Sequence, residues 1–199
     1  MTNQEIARIT INNIGVTQSS KIPISNIASM AITKSGKLYI AKDTKLVVYN
    51  NFEELTLNNA AQTFNLPSRA ISMAVDPSES LVAVGTYDGS IWLKQNGNSA
   101  LVLALHKSSV NDVKFNKLNS GSLQLASAGF DQTIKLIDVK QVLQTKSIED
   151  IVTLNDGGHT KWIYQLWYSN DGEHLYSCGE DKKIIGWKKT MEGLYKVLK

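Results

Sequence analysis

The segment GHTKWIYQLWYSNDGEHLYSCGED, residues 158–181, holds His159, Ser177 and Asp181, the three side-chain types of a serine hydrolase. In that chemistry the imidazole takes the serine proton and the aspartate orients the imidazole. His174, Cys178 and Glu180 lie in the same segment and, with His159 and Asp181, raise a second option, a metal site. The paired Cys or His spacing of structural zinc sites is missing, and His174 reads more simply as a polar turn residue, Cys178 as a small residue beside Ser177. No Walker or Rossmann glycine pattern occurs, since the glycines of GSLQLASAG and DGGHT mark turns. No cofactor and no metal are therefore expected.

The elements that must carry these residues are strands. Apolar residues recur in short runs of mostly two-residue period, as in KLYIA, KLVVY, LVAVG, SIWLK, LQLAS and TIKLI, with turn-forming residues between them. No window of a dozen residues shows an amphipathic helical stripe capped at both ends. The expected fold class is all-β.

The turns repeat. Four segments align, starting at Ile27, Ala70, Val110 and Ile163, at intervals of 43, 40 and 53 residues. The last interval is lengthened by VKQVLQTKSIED after Asp138. Each segment predicts one strand ending at a turn such as DPSES or NDGE, and a second running to an Asp turn at Asp43, Asp88, Asp131 or Asp181. A third strand leaves that turn, and a fourth follows in TFNLP, LVLALH, DIVTL or GLYKVLK. Four strands in roughly 40 to 45 residues is the period of a β-propeller blade.

LASAGFDQTIKLID and GHTKWIYQLWYSNDGEHLYSCGEDKKIIGWKK resemble the WD-repeat (WD40-type) β-propeller family, over about residues 20 to 190. The likeness is strong in the last two repeats and weak in the first, where Pro23 stands in the histidine position and Ile40 near the serine one. The resemblance implies that His159, Ser177, Asp181 and Trp187 form a buried structural tetrad. His106, Ser127 and Asp131 would do the same in the third repeat, with Ile137 in the tryptophan position. The second repeat keeps Asp88 alone, with Leu66 and Val84 elsewhere. A catalytic triad has no reason to recur in such graded form, whereas each blade must satisfy its own buried polar groups.

TNQEIARITINN and SSKIPIS can be laid on DTKLVVYNN and TFNLPS, so residues 1–25 read as the outer strands of a preceding blade. Blades are expected at 26–67, 68–106, 107–158 and 159–199, one partial propeller in all: four four-stranded blades plus a half blade. Four and a half blades do not close a ring neatly. The expectation is the C-terminal part of a longer propeller, or a half-ring that self-associates.

The resemblance further implies a top face made of the residues flanking each first strand and the residue before each turn Asp. Here that set is Trp162, Tyr164 and Glu180; Ser109, Asn111 and Phe130; Arg69, Ile71 and Tyr87; with Asn26, Ala28 and Lys42 completing it. Its aromatics and arginine are types enriched in binding hot spots. Trp92 and Trp167 fall off both sets and are expected on the blade sides.

Lys plus Arg number 21 against 18 Asp plus Glu, a net charge of +3. That balance gives little support to a nucleic-acid partner, although Arg69 and Lys42 keep one in view. Lys182, Lys183, Lys188 and Lys189 read as solvated turns and edges. With Cys178 the sole cysteine, no intrachain disulfide forms, and no apolar run reaches the roughly 20 residues of a spanning helix. The expectation is a cytoplasmic protein without a membrane partner.

The function expected is a non-catalytic scaffold or sensor that binds a protein or peptide on the top face. Residues 151–187 look most like the final blades of bacterial multidomain WD-repeat proteins, which implies an alternative: a regulatory C-terminal fragment of a signalling ATPase or caspase-like protein. A nucleic-acid-binding propeller is the other rival. An enzyme with its site in the channel would need polar groups converging there beyond the tetrad.

Overall fold

The computed structural model describes residues 4–12, 15–117, 121–148, 151–155, 157–189 and 195–197. Gly193, Leu194, Leu198 and Lys199 of the expected last strand lie outside the described residues, as do Glu149 and Asp150 of the loop after Asp138. A two-stranded antiparallel sheet of β1 (Gln4–Asn12) and β2 (Gly15–Ile24) comes first. The next sheet is β3 (Ile27–Ile32), β4 (Leu38–Lys42), β5 (Lys45–Tyr49) and β6 (Gln62–Asn65). It is followed by β7 (Ala70–Val75), β8 (Leu81–Thr86), β9 (Ser90–Gln95) and β10 (Leu101–Ala104). The third is β11 (Val110–Lys117), β12 (Leu123–Gly129), β13 (Ile134–Asp138) and β14 (Val152–Leu154). The last is β15 (Ile163–Tyr168), β16 (His174–Gly179), β17 (Ile184–Lys189) and β18 (Tyr195–Val197). Within each sheet every strand pairs antiparallel with its neighbour in sequence, which gives four meanders in series.

The sheets pack face to face, and the two-residue period sends alternate side chains to opposite neighbours. On β4, Leu38 and Ile40 join Ile6 against the first hairpin, whereas Tyr39 and Ala41 join Met73, Val84 and Trp92 against the following sheet. On β8, Val82 and Val84 face back while Leu81 and Ala83 face forward to Val110, Val113 and Leu125. Leu125 and Ile137 then face back; Ala126, Ala128, Ile134 and Leu136 face forward to Leu166, Leu175 and Trp187. Each of the four apolar clusters is thus an interface between successive sheets. Central strands buried on both faces read as near-continuous apolar runs, and β8 is buried at all six positions.

Forward of the last sheet nothing packs among the described residues. The places corresponding to Ala126 and Ile134 are Tyr176 and Ile184, by the pairings of Ser127 with Lys135 and Ser177 with Ile185. Ile184 is 80% exposed, and Trp167, opposite Tyr176, is also exposed. Trp92, the other tryptophan expected on a blade side, is buried and meets Phe64 at 5.6 Å.

Two short helices interrupt the all-β pattern where none is expected from the sequence. Phe52–Thr56 (α1) is capped by Asn51, whose side chain accepts from the Glu54 N–H. Val139–Thr145 (α2) is capped by Asp138 and stopped by left-handed Lys146, so the extra residues after Asp138 fold into a helix. Val139 and Val142 sink into the cluster between the second and third sheets. A helix of seven residues is too short to show a full stripe, which is why its periodicity is silent. No helix among the described residues is long and apolar enough to cross a membrane.

Candidate functional site

In the last sheet the polar residues form one continuous chain. Asp181 receives His159 Nδ1 at 2.8 Å, His159 Nε2 meets Ser177 Oγ at 2.9 Å, and the Trp187 indole N–H donates to the same Oγ at 2.9 Å. A carboxylate only accepts, so Nδ1 carries the proton and Nε2 accepts from the Ser177 hydroxyl. That is the tautomer of a hydrolytic triad, but the access is not. Ser177 is 1% exposed, the His159 side chain is fully enclosed, and the serine oxygen is already occupied by an indole. No substrate carbonyl could reach it.

The third sheet repeats the chain without its tryptophan. His106 Nδ1 lies 3.0 Å from Asp131, and Nε2 lies 2.8 Å from Ser127 Oγ, with buried Ile137 in the tryptophan place. Close approach of the ring requires Gly129: an added Cβ would stand 2.5 Å from His106 Nδ1. In the second sheet Leu66 and Val84 fill the histidine and serine places with apolar bulk. Asp88, exposed, instead accepts from the Thr86 hydroxyl at 2.7 Å and the Ser90 N–H at 3.1 Å. It holds its own turn and joins no histidine. The grading is physical: where the imidazole is lost, the buried serine goes with it, and no polar atom is left unpaired.

Burial alone would raise the Asp131 and Asp181 carboxyls. Hydrogen bonds outweigh it, from His106, the Lys107 N–H and Thr133 to Asp131, and from His159 and the Thr160 and Lys183 N–H groups to Asp181. Both carboxyls are held below the usual aspartate value, Asp131 far below.

The residues expected on a face gather at one end of each sheet, and two local devices place them. Each first strand carries an irregularity in its register, between Ile27 and Ser29, Ala70 and Ser72, Val110 and Asp112, and Ile163 and Gln165. The extra residue, Ala28, Ile71, Asn111 or Tyr164, is released from the strand's alternation. In addition, the turn residue's N–H donates to the carbonyl at the strand's start: Tyr87 to Arg69 at 2.8 Å, Phe130 to Ser109 at 3.0 Å and Glu180 to Trp162 at 2.8 Å.

Trp162 and Tyr164 are 44% and 43% exposed, and Glu180 is exposed beside them. The Arg69 guanidinium lies 4.9 Å from the ring centre of exposed Tyr87. A depression of about 430 Å³ lies between the first two sheets, with Asn26, Ala28, Arg69 and Ile71 in its lining; Asn26 Nδ2 reaches Asp43 at 3.3 Å, and Lys42 is half-buried nearby on β4. Two expected face residues point elsewhere. Ser109 is 4% exposed, so its side chain offers nothing to a partner. Asn111 is half-buried, and its amide donates to the Ile163 carbonyl at 2.7 Å, which spends it on holding the third sheet to the fourth.

Further ties of that kind are silent in a single-repeat reading. Buried Asp112 accepts from the Leu166 N–H at 2.9 Å, while its other oxygen takes Lys114 Nζ at 2.7 Å. Ser72 donates to the Val110 carbonyl at 3.0 Å, and Asn116 to Gly172 at 2.9 Å. The available signal was a polar residue at a strand position that alternation makes inward. Among the described residues no cluster of His, Cys, Asp and Glu suits a metal ion.

Four four-stranded antiparallel sheets packed in series, with this recurring chain, define a segment of β-propeller. Residues 97–138 and 149–188 match the family described as WD domain, G-beta repeat. The matched segments are WD repeats, and the fold is that of a partial WD-repeat β-propeller. The chain is 36% identical over 147 residues to Periodic tryptophan protein 2 homolog of Schizosaccharomyces pombe, covering 71% of this chain and 15% of that protein. It is 29% identical over 140 residues to Periodic tryptophan protein 2 of Arabidopsis thaliana, covering 69% and 14%. With WD repeat and SOCS box-containing protein 1 of Homo sapiens it shares 31% over 109 residues, 54% of this chain and 24% of that protein. The chain spans less than a quarter of the length of each of these relatives.

Proposed function

We propose that the chain is a non-catalytic interaction scaffold that holds a protein or peptide on the face containing Trp162, Tyr164, Phe130, Glu180, Arg69 and Tyr87. The likeness to WD-repeat proteins supports the scaffold role in general. The observation that carries the particular face is the division of labour in the last sheet. Its polar groups are consumed in a buried chain, while Trp162 and Tyr164 stay 44% and 43% exposed at the strand's start. Aromatics held exposed by a rigid sheet supply contact area at low entropic cost.

Self-association of half-rings is a second reading, favoured by the uncovered forward face of Trp167, Tyr176 and Ile184. A regulatory fragment of a multidomain protein is the alternative, resting on the likeness of residues 151–187 to bacterial multidomain proteins; the relatives reported above are eukaryotic and lend that bacterial origin no support. Cytoplasmic placement is part of the same proposal, resting on a single free cysteine.

The test is affinity capture with cross-linking from extract of the source cells, using the wild-type chain and Trp162→Ala, Tyr164→Ala and Lys140→Ala variants. A partner held by the wild type and Lys140→Ala but lost from both aromatic variants supports the face. Equal retention by all four chains excludes it.

A further inference from the structure

A cleft of about 460 Å³ opens between the first and second sheets, away from the bulge face. Its volume lies in the range of small-ligand and peptide-anchor sites. Val48, Leu81 and Val82 give it an apolar floor, and Ala61–Phe64 form one wall. We propose that this cleft binds an acidic peptide in extended form, with carboxylates at Lys37 and Lys94 and an apolar side chain against Tyr39 and Val82.

Three observations lead there. Tyr39 is 7% exposed and lines the cleft, yet its hydroxyl has no hydrogen-bond partner among the described residues. No buried side-chain oxygen or nitrogen among the described residues lacks a partner, so this hydroxyl opens into the cleft, where a guest can bond to it. By strand pairing, the corresponding places in the next two sheets hold Ala83 and Ala126, so the phenol belongs to this interface alone among the three between four-stranded sheets.

The second is charge. Lys94 Nζ donates to the carbonyls of Gln95, at 3.1 Å, and Asn98, and stands 5.5 Å from the Phe64 ring centre. It is thereby held over the cleft with a third proton to give. Lys37 lines the same cleft. Glu79, the carboxylate in the lining, is committed to Ser35, accepting from its N–H at 2.9 Å and from its hydroxyl. Asp76, the other carboxylate near Tyr39, is likewise committed, accepting from the Ser78 N–H at 3.0 Å and the Leu81 N–H at 2.6 Å, so the two ammonium groups are left to complement an acidic partner.

The third is the wall. Strand β6 ends its sheet, so its outer backbone groups pair with no strand of that sheet. An extended peptide can add to such an edge and send alternate side chains into the cleft.

The experiment is a titration of the isotope-labelled 199-residue chain with the capped peptide Glu-Glu-Leu-Glu-Glu, read by amide chemical shifts. Saturable shifts are expected at Ala61–Phe64 and Lys94–Gly97. Lys37→Glu should weaken binding by about tenfold or more. Tyr39→Phe, which removes only the hydroxyl, should weaken it about two- to tenfold. Trp162→Ala should leave it unchanged, separating this site from the bulge face. The proposal is overturned if Lys-Lys-Leu-Lys-Lys binds as tightly, if Lys37→Glu has no effect, or if the shifts map to Trp162 and Tyr164.

Discussion

Trp162 lies flat on Phe130, with ring centroids 4.3 Å apart and planes 12° from parallel. The two rings belong to successive sheets, one at the start of β15 and the other at the turn after β12. The stack therefore ties two blades at the face while leaving the indole 44% exposed. The pair forms a preassembled aromatic platform at that end of the two sheets.

That geometry gives a coupling. Stacked aromatic pairs contribute about 0.5 to 1.5 kcal/mol beyond their buried area. A double-mutant cycle on Trp162→Ala and Phe130→Ala, followed by urea unfolding, should return a coupling in that range. A value indistinguishable from zero means the rings do not act as a pair.

Acid should weaken the third blade through Asp131. Its carboxyl is held far below the usual value near 3.8 despite burial, so its stabilising effect is complete above that pH. It is lost as pH falls from there through the depressed native value. Asp131→Asn should cost about 1 to 3 kcal/mol at pH 6. The gap to wild type should narrow by pH 3, as measured by urea midpoints at both pH values.

Glycine at the Asp88 turn is set by space as well as by backbone. Gly89 has φ +90°, and an added Cβ would stand 2.2 Å from the His106 carbonyl oxygen. Gly36 has φ +88° with nothing near it. Gly36→Ala should cost about 1 to 2 kcal/mol, the left-handed penalty alone, and Gly89→Ala clearly more. Equal costs in thermal melts would show that the turn relaxes.

The forward face of the last sheet should govern association. Ile184 is 80% exposed on a strand face that the preceding sheets bury, with Trp167 and Tyr176 close by. Light scattering after size exclusion should show a concentration-dependent rise in mass for the wild type that Ile184→Asp abolishes. The same mass for both chains at every concentration would exclude this face as the contact.

The repeats, the Asp turns and the His–Ser–Asp chains were legible because each depends on residues inside one segment, at spacings set by strand length. What passes between segments was not. Ser109 and Asn111 sit at face positions by spacing, but one is buried and the other donates to Ile163 across a blade boundary. Asp112 finds its partner, the Leu166 N–H, in the next segment, which its own repeat does not announce. Thr86, two residues past the serine place, gives Asp88 the donor that His106 gives Asp131. The helix at Val139–Thr145 is too short for periodicity and is announced only by its Asp138 cap.

The division between buried chain and exposed face is tested most directly by the unfolding free energies of Asp181→Ala and Trp162→Ala measured in one buffer near pH 7. The Asp181 change should cost about 1 to 3 kcal/mol, because it leaves the His159 N–H and the Thr160 and Lys183 N–H groups unpaired. The Trp162 change should cost less than about 1.5 kcal/mol, the loss of its stack. A Trp162→Ala chain that unfolds while Asp181→Ala stays at wild-type stability would contradict the division and make Trp162 part of the core.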